Sequence, residues 1–243
     1  MMGKTLHVAL VQFDAVPEKT KTNLTRMTRL ARQAAADGAE LIMFHEGTIT
    51  DYTPRVEELS ELVPEGPSCR RVERLARELG VYISFGLGEA DRGFYYITQA
   101  FMAPHGFLYS YRKTWLHGES ADEGYRNEHA RYDPGRGPGL FEIAGVRATC
   151  FICADGEAPR CVERARLLKP QLVFYPNNRS GLPDFGKRAR RIGAPMLVTN
   201  RVGKSWAHGC SGGCAVYGAD GKLLAAANCE GREEILHHVL KLP

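Results

Sequence analysis

The feature that most constrains this chain is an apolar strand that ends at a cysteine and turns directly into a helix. Residues Val146 to Cys153 have the pattern of a buried strand, and Glu157 to Leu168 have the pattern of a helix. A thiol at such a junction lies beside the positive end of the helix dipole and its unpaired N–H groups. That position favours a thiolate and can hold a developing oxyanion. Cys153 is therefore a candidate nucleophile, although most free cysteines are simply buried in a core.

Short apolar runs alternate with amphipathic segments along the rest of the chain, which is typical of a layered α/β domain. We expect one domain, residues 1–243, with a mixed sheet covered by helices. The polar stretch 114–138 is predicted to be a functional loop, because long loops in compact domains usually are. Further strands are predicted at 5–13, 39–46, 81–88, 95–102, 107–112, 139–144, 170–176, 195–200, 214–217 and 223–227, and further helices at 17–37, 67–79 and 184–192.

Composition argues against several classes of function. The chain carries 32 basic and 28 acidic side chains, spread along the sequence, so nucleic-acid binding is not indicated. The basic run Lys187 to Arg191 is better explained as the solvated face of a helix. No stretch approaches the ~18 apolar residues of a membrane span, and the first residues lack the apolar segment of a secretory signal. With seven cysteines, an odd number, we expect reduced thiols and a cytoplasmic protein without membrane partners.

Two more chemically active side chains end predicted strands, and their surroundings connect them with the cysteine. Glu46 ends one strand and Lys113 ends another, so both could meet Cys153 at one rim of a sheet. These three residues lie in the segments Phe44-His-Glu46-Gly, Tyr111-Arg-Lys113-Thr and Phe151-Ile-Cys153-Ala-Asp155. In order and context, the segments resemble the three catalytic motifs of the nitrilase superfamily of carbon–nitrogen hydrolases, and the resemblance covers essentially the whole chain.

The resemblance implies a fold and a set of roles. The fold would be α/β, a four-layer αββα sandwich of two mixed β-sheets flanked by helices, with subunits joined in a homodimer or higher homo-oligomer. Glu46 would be the general base, Lys113 the oxyanion stabiliser and Cys153 the nucleophile. Glu128 matches a second glutamate that supports the site in this family. Residues 111–135 look most similar to the N-carbamoyl-amino-acid hydrolases.

These residue types suit the hydrolysis of a small amide or carbamoyl compound through a thioester, without a metal or cofactor. Glu46 would accept the thiol proton, and Lys113 with the backbone N–H of Ala154 would hold the oxyanion. Ammonia or an amine would leave. The pocket is expected from loops at 50–60, 114–135 and 177–186, and the expected substrate-binding residues are Ala154, Glu157, Asn177 and Asn178.

The sequence after the cysteine departs from the family pattern. Most members continue Cys-x-Asp-x-Arg-Phe-Pro-Glu, whereas this chain continues Cys153-Ala-Asp-Gly-Glu157-Ala-Pro-Arg160. In the carbamoyl-amino-acid enzymes, arginines at these positions bind the substrate carboxylate, which Gly156 and Glu157 cannot do. We therefore expect that the substrate is not an N-carbamoyl α-amino acid. If Glu157 faces the pocket, it should prefer a neutral or cationic group.

The sequence is also compatible with four other interpretations. Cys150 and Cys153 form a Cys-x-x-Cys motif, which suggests a redox role. The motif lies within a predicted strand, however, and the sequence around it does not resemble thioredoxin. A zinc site formed from these two with His208, Cys210 and Cys214 is conceivable, although the spacing is unlike structural zinc sites. A non-catalytic binding or scaffold protein could keep the fold. An acyl transferase would need the same three catalytic groups as a hydrolase.

Overall fold

The computed structural model describes residues 5–118, 127–205 and 208–242, and two six-stranded sheets dominate this part of the chain. The first sheet consists, from edge to edge, of β14 (Glu234–Lys241), β1 (Thr5–Gln12), β2 (Leu41–Met43), β3 (Tyr82–Asp91), β4 (Phe94–Ala103) and β5 (Gly106–Arg112). The second consists of β13 (Leu223–Ala226), β12 (Ala215–Tyr217), β9 (Met196–Thr199), β8 (Leu172–Pro176), β7 (Val146–Cys150) and β6 (Phe141–Ile143). A separate ribbon pairs β10 (Val202–Lys204) with β11 (Gly209–Ser211).

Both sheets are mixed, as predicted. In the first sheet β1, β2 and β3 are parallel neighbours, whereas β14, β4 and β5 join by antiparallel pairing. In the second sheet β7, β8 and β9 are parallel, and the outer strands are antiparallel. Strands β2 and β5 therefore run in the same direction and end at the same edge of the first sheet.

Helices cover the outer face of each sheet. Helix α1 (Thr20–Ala36) buries an apolar stripe at three- and four-residue spacing that includes Leu24, Met27 and Leu30. Helix α3 (Pro67–Leu79) begins with proline at its first position and ends at Gly80, whose φ is +70°. The short α2 (Val56–Leu59) lies between them in sequence, and α4 (Pro159–Leu167) and α5 (Phe185–Ile192) belong to the second sheet's side.

The core between the two sheets contains large aromatic side chains from both. Phe101 of β4 meets Phe174 of β8 edge to face with ring centroids 5.0 Å apart. Tyr109 of β5 stacks on Phe141 of β6 at 4.3 Å. A second core lies between the first sheet and helices α1 and α3, and includes Phe13, Met27 and Val72. Helix, sheet, sheet and helix thus form the four layers predicted above.

The boundaries differ from the predictions at several points. Strand β7 ends at Cys150, three residues before the cysteine that was expected to end it. The final stretch, to which no structure was assigned, forms strand β14 along the edge of the first sheet. Residues 119–126 of the predicted functional loop, residues 206–207 and the ends of the proposed domain at 1–4 and 243 lie outside the described residues. Among the helices that are described, none is long and apolar enough to cross a membrane.

Candidate active site

A buried lysine at the end of β5 joins two carboxylates. Lys113 Nζ lies 2.9 Å from Glu46 Oε1 and 2.7 Å from Glu128 Oε1, and its side chain is fully excluded from solvent. The lysine backbone is fixed as well, because its N–H donates to the carbonyl of Ile97 at 2.8 Å. Glu46 follows β2, and Lys113 follows β5, so the common direction of these strands brings the two side chains together.

Glu128 reaches the same place from the long loop. It begins a 3-10 helix, Glu128–Ala130, and its side chain is buried. Its Oε2 accepts a hydrogen bond from the backbone N–H of His117 at 2.7 Å, and its own N–H donates to the carbonyl of His117 at 2.8 Å. The carboxylate is therefore held by the loop on one side and by Lys113 on the other.

Cys153 lies in a strained turn at the end of the second sheet. It begins a short 3-10 helix, Cys153–Glu157, and its φ of +45° is unusual for a residue with a side chain. The hydroxyl of Tyr175 donates to the Cys153 carbonyl at 2.7 Å. Glycine at 156 permits this contact, since a Cβ there would stand 2.1 Å from the Tyr175 hydroxyl oxygen.

Asp155 connects this turn with the segment that follows Lys113. Its Oδ2 accepts from the backbone N–H of Ile152 at 2.9 Å and from the Tyr111 hydroxyl at 2.8 Å. Its Oδ1 accepts from the backbone N–H groups of Thr114 at 3.0 Å and Trp115 at 2.6 Å. One buried carboxylate thus holds together chain from both sheets, directly beside Cys153 and Lys113.

The electrostatics of the cluster keep the thiol protonated. The pKa of Cys153 is raised to about 12, mainly by burial and next by the charge of Glu46, while Lys113 and Arg179 act in the opposite direction. Burial and the neighbouring carboxylate therefore outweigh any stabilisation of the thiolate by the helix end. The short 3-10 turn also separates Cys153 from α4, which starts only at Pro159.

The two partners of the thiol have shifted pKa values of their own. Burial raises the pKa of Glu46 above its ordinary value against the opposing effect of Lys113. Burial alone lowers the pKa of Lys113, but Glu128 and Glu46 outweigh it, and the pKa lies well above its ordinary value. The lysine is therefore an ammonium at neutral pH. Glu46 Oε2 makes no hydrogen bond of normal geometry to the described residues.

A pocket of about 470 Å³ opens over this cluster. Its wall contains Cys153, Ala154 and Glu128, whereas Glu46 and Lys113 lie beneath it. The three loops that were predicted to build the pocket all contribute. The other lining residues are Tyr52, His117, Glu157, Asn178, Arg179, Ser180, Gly181, Leu182, Pro183 and His208.

The two asparagines after β8 have different positions. Asn178 lines the pocket, and its Nδ2 donates to Asp51 Oδ1 at 2.7 Å, while Asp51 also forms a buried ion pair with Arg201. Asn177 does not line the pocket. Its Nδ2 instead donates to the carbonyl of Tyr175 at 2.7 Å, inside the protein. The prediction that Asn177 contacts substrate finds no support in this position.

Glu157 does face the pocket, but it is paired with a residue that the sequence reasoning missed. Arg179 Nη2 donates to Glu157 Oε1. Both residues line the pocket. No motif pointed to Arg179, although it immediately follows Asn178 in a loop that was expected to form the pocket. His208 is a second lining residue that was not assigned to the pocket.

The cysteines show neither a disulfide nor a metal cluster in the part of the chain described. All seven cysteines are free thiols, and only Cys229 is exposed. No group of three or more histidine, cysteine, aspartate or glutamate side chains within residues 5–118, 127–205 and 208–242 is arranged to hold a metal ion.

Comparisons with known proteins agree with this architecture. The chain is 32% identical to omega-amidase NIT2 of Xenopus tropicalis, in a match that covers 70% of this chain and 62% of that protein. It is 28% identical to N-carbamoylputrescine amidase of Solanum lycopersicum, covering 93% of this chain and 83% of the relative. The matched region spans between 59% and 64% of the length of three of its curated relatives.

The crystal structure of an amidase from Nesterenkonia sp. has the same fold. The two structures superpose with a TM-score of 0.85 at 24% sequence identity, covering 99% of this chain and 92% of the other. This confirms the expected αββα sandwich. The sequence profile described as carbon-nitrogen hydrolase matches residues 7–242. The chain therefore belongs to the carbon–nitrogen hydrolase family.

Proposed function

We propose that this protein is a cysteine-dependent hydrolase that cleaves the carbon–nitrogen bond of small, non-peptide amides or carbamoyl compounds. The observation that carries the proposal is the buried ammonium of Lys113, held between Glu46 and Glu128 beneath the pocket that Cys153 lines. A buried charge is costly unless it is paired. Three charged groups so placed beside a thiol are typical of a catalytic site.

Two relatives support this class of reaction by their names, which are omega-amidase and N-carbamoylputrescine amidase. A glutamate-to-glutamine variant of the amidase from Nesterenkonia sp. AN1 shows the result of Michael addition of acrylamide at the active-site cysteine. We assign the corresponding nucleophile in this chain to Cys153, because it is the cysteine that lines the pocket among the described residues.

The first half of the reaction forms the thioester. Since the pKa of Cys153 is raised to about 12, a base must remove its proton as sulfur attacks the carbonyl carbon. Glu46 is the proposed base, because it lies in the same buried cluster. The ammonium of Lys113 and the N–H of Ala154, at the start of a helical turn, stabilise the oxyanion. When the tetrahedral intermediate collapses, Glu46 returns the proton to the leaving nitrogen, and ammonia or an amine departs.

The second half regenerates the thiol. Glu46, again a carboxylate, takes a proton from a water molecule as the oxygen of that water attacks the thioester carbonyl. The second tetrahedral intermediate uses the same donors from Lys113 and Ala154. Its collapse breaks the carbon–sulfur bond, releases the carboxylic acid and returns the proton to Cys153. Glu128 fixes Lys113 in position throughout.

The dimensions of the pocket suit a small substrate. A volume of about 470 Å³ is near the lower end of ligand sites, which limits the substrate to a small molecule. Assembly into a homodimer or higher homo-oligomer, which the family resemblance implies, and a cytoplasmic location are further predictions. The assignment of residues 1–243 to one domain is a prediction of the same kind.

The proposal is tested by measuring ammonia release from a panel of small amides, carbamoyl compounds and nitriles. We expect release by the wild type and by Cys229→Ala, which removes an exposed thiol, but not by Cys153→Ala. Turnover by Cys153→Ala at the wild-type rate would contradict the proposed nucleophile. If the wild type consumes amides only when a second amine or alcohol is supplied, the protein is an acyl transferase instead of a hydrolase.

A further inference from the structure

One wall of the pocket carries a pair of opposite charges that the proposed reaction does not use. Arg179 Nη2 donates to Glu157 Oε1, and both residues line the same cavity as Cys153. The side chain of Arg179 is 16% exposed, whereas that of Glu157 is 46% exposed. Within the described part of the chain, this wall therefore holds one guanidinium and one carboxylate, with no net charge.

Arg179 is held in place by its backbone. Its N–H donates to Asn200 Oδ1 at 3.1 Å, and its carbonyl accepts from Asn200 Nδ2 at 3.0 Å. The guanidinium is less completely paired, because Nη1 is buried and has no hydrogen-bond partner among the described residues. The arginine is thus fixed at the wall but joined to Glu157 through a single nitrogen.

The guanidinium also acts on the reacting end of the pocket. Arg179 lowers the pKa of Cys153 against the larger effect of burial, so its charge is felt at the sulfur atom. Because Cys153, Glu157 and Arg179 line one pocket of about 470 Å³, a substrate whose carbonyl carbon lies at Cys153 has the rest of its acyl group within reach of the same charge pair. A charged acyl group must compete with one member of the pair for the other.

We propose that the Glu157–Arg179 pair is the charge selector of the pocket, and that it makes the site favour uncharged amides. This inference rests on the proposed function. An anionic acyl group would have to draw Arg179 away from Glu157, and a cationic one would have to draw Glu157 away from Arg179. In both cases the interaction between Glu157 and Arg179 is lost and the charged group of the substrate must also be desolvated. A neutral amide leaves the pair intact.

The pair can be broken from either side with opposite consequences. Glu157→Gln leaves the positive charge of Arg179 without its partner, so anionic amides should gain affinity relative to cationic ones. Arg179→Gln leaves the carboxylate of Glu157, so cationic amides should gain. The double variant carries neither charge and should lose both preferences. The expected effect of each single change is roughly tenfold in the ratio of the two affinities.

The experiment measures binding without turnover, in the Cys153→Ala protein, by titration calorimetry. Three amides of matched length serve as probes: butyramide is neutral, succinamate is anionic and 3-aminopropanamide is cationic. In the parent protein, butyramide should bind most tightly. The quantity compared is the ratio of the affinity for succinamate to the affinity for 3-aminopropanamide. Glu157→Gln should raise this ratio and Arg179→Gln should lower it. The double variant should return it to within about threefold of the value in the parent protein.

Several results would overturn the proposal. The affinity ratio could shift in the same direction in both single variants, or shift in neither. The double variant could also keep the preference of one single variant. Failure of the parent protein to bind butyramide would also overturn it. Arg179→Met replaces Arg179→Gln if the latter does not fold. Wild-type turnover of butyramide is measured separately, so that failure of the proposed hydrolysis is distinguished from failure of charge selection.

Discussion

Asp155 Oδ1 accepts a hydrogen bond from the backbone N–H of Trp115 at 2.6 Å, and so joins the turn of the nucleophile to the segment that carries the lysine. The other oxygen of the same carboxylate accepts from Ile152, the residue before Cys153. Because Asp155 is fully buried, these bonds are not exchanged with solvent. The separation between Cys153 and Lys113 is thus fixed by one side chain that touches neither of their reactive atoms.

Asp155→Asn should lower kcat strongly, although most of the free energy of unfolding should remain. An asparagine has one acceptor oxygen, so its amide group would face at least one backbone N–H, and the turn must shift. A displacement of about 1 Å near the reacting atoms costs roughly 100-fold in rate, while the loss of stability should be ~1–3 kcal/mol. The measurements are kcat, KM and the free energy of unfolding.

The matched control for this change is Asp220→Asn, which alters an aspartate in an exposed turn. It should leave both kcat and stability within error of the wild type. Wild-type kcat in Asp155→Asn, at a stability that has fallen by the expected amount, would show that Asp155 has no part in positioning the reacting groups.

Lys113→Met should destabilise the protein and abolish turnover. It leaves Glu46 and Glu128, both buried, without the ammonium that lies between them. Removing one partner of a buried ion pair typically costs ~3–5 kcal/mol. Chemical denaturation measures this loss, and Lys222→Met is the control because Lys222 forms only an exposed pair with Asp220. Equal stability of the two variants would contradict the buried charge cluster described here.

The strand ends and the family motifs were sufficient to predict that three charged side chains of the site meet. Glu46, Lys113 and Glu128 are brought together as expected, because β2 and β5 run in the same direction and the long loop returns to them. How strongly the surroundings of Cys153 raise its pKa could not be predicted. A motif shows that a thiol lies beside a helix end, but it does not show how much solvent and charge surround the sulfur atom.

Neighbouring residues in the loop after β8 show a second limit of sequence reasoning. Asn177 and Asn178 were both expected to contact substrate, yet only Asn178 lines the pocket. The sequence of a loop does not say at which residue its side chains begin to face the pocket, and here the boundary falls between Asn177 and Asn178. Arg179 was missed for a related reason, since its partner Glu157 is 22 residues away and lies on a different element.

The stability of the protein should fall between pH 6.5 and 4 because of His45. Burial and the charge of Arg201 lower the pKa of this histidine from 6.5 to about 4. The unfolded chain therefore binds a proton that the folded protein excludes, and stability present above pH 6.5 is lost as the pH falls through 4. The full effect is ~3 kcal/mol.

Comparison with a variant that lacks only His45 isolates this effect. Urea denaturation of the wild type and of His45→Asn should give curves of stability against pH that differ in slope between pH 6.5 and 4, with the smaller slope in the variant. Parallel curves over this range would mean that His45 carries no shifted pKa.

Gly86→Ala should displace the turn that carries Glu46. A Cβ at this position would stand 2.4 Å from the backbone nitrogen of Gly47 and 2.8 Å from the carbonyl oxygen of His45. Forcing these groups apart should cost ~1–3 kcal/mol of stability and lower kcat. Gly209→Ala is the control, because a Cβ there meets nothing within 4 Å. Wild-type stability and kcat in Gly86→Ala would contradict the close packing of this turn on β3.

The most direct test of the thioester mechanism is intact-mass spectrometry of the protein quenched in acid during turnover of an amide that it hydrolyses, followed by peptide mapping. The account predicts a mass increase equal to the acyl group, located on Cys153, and no such increase in Cys153→Ala. An adduct on another residue, or turnover that continues in Cys153→Ala, would contradict it.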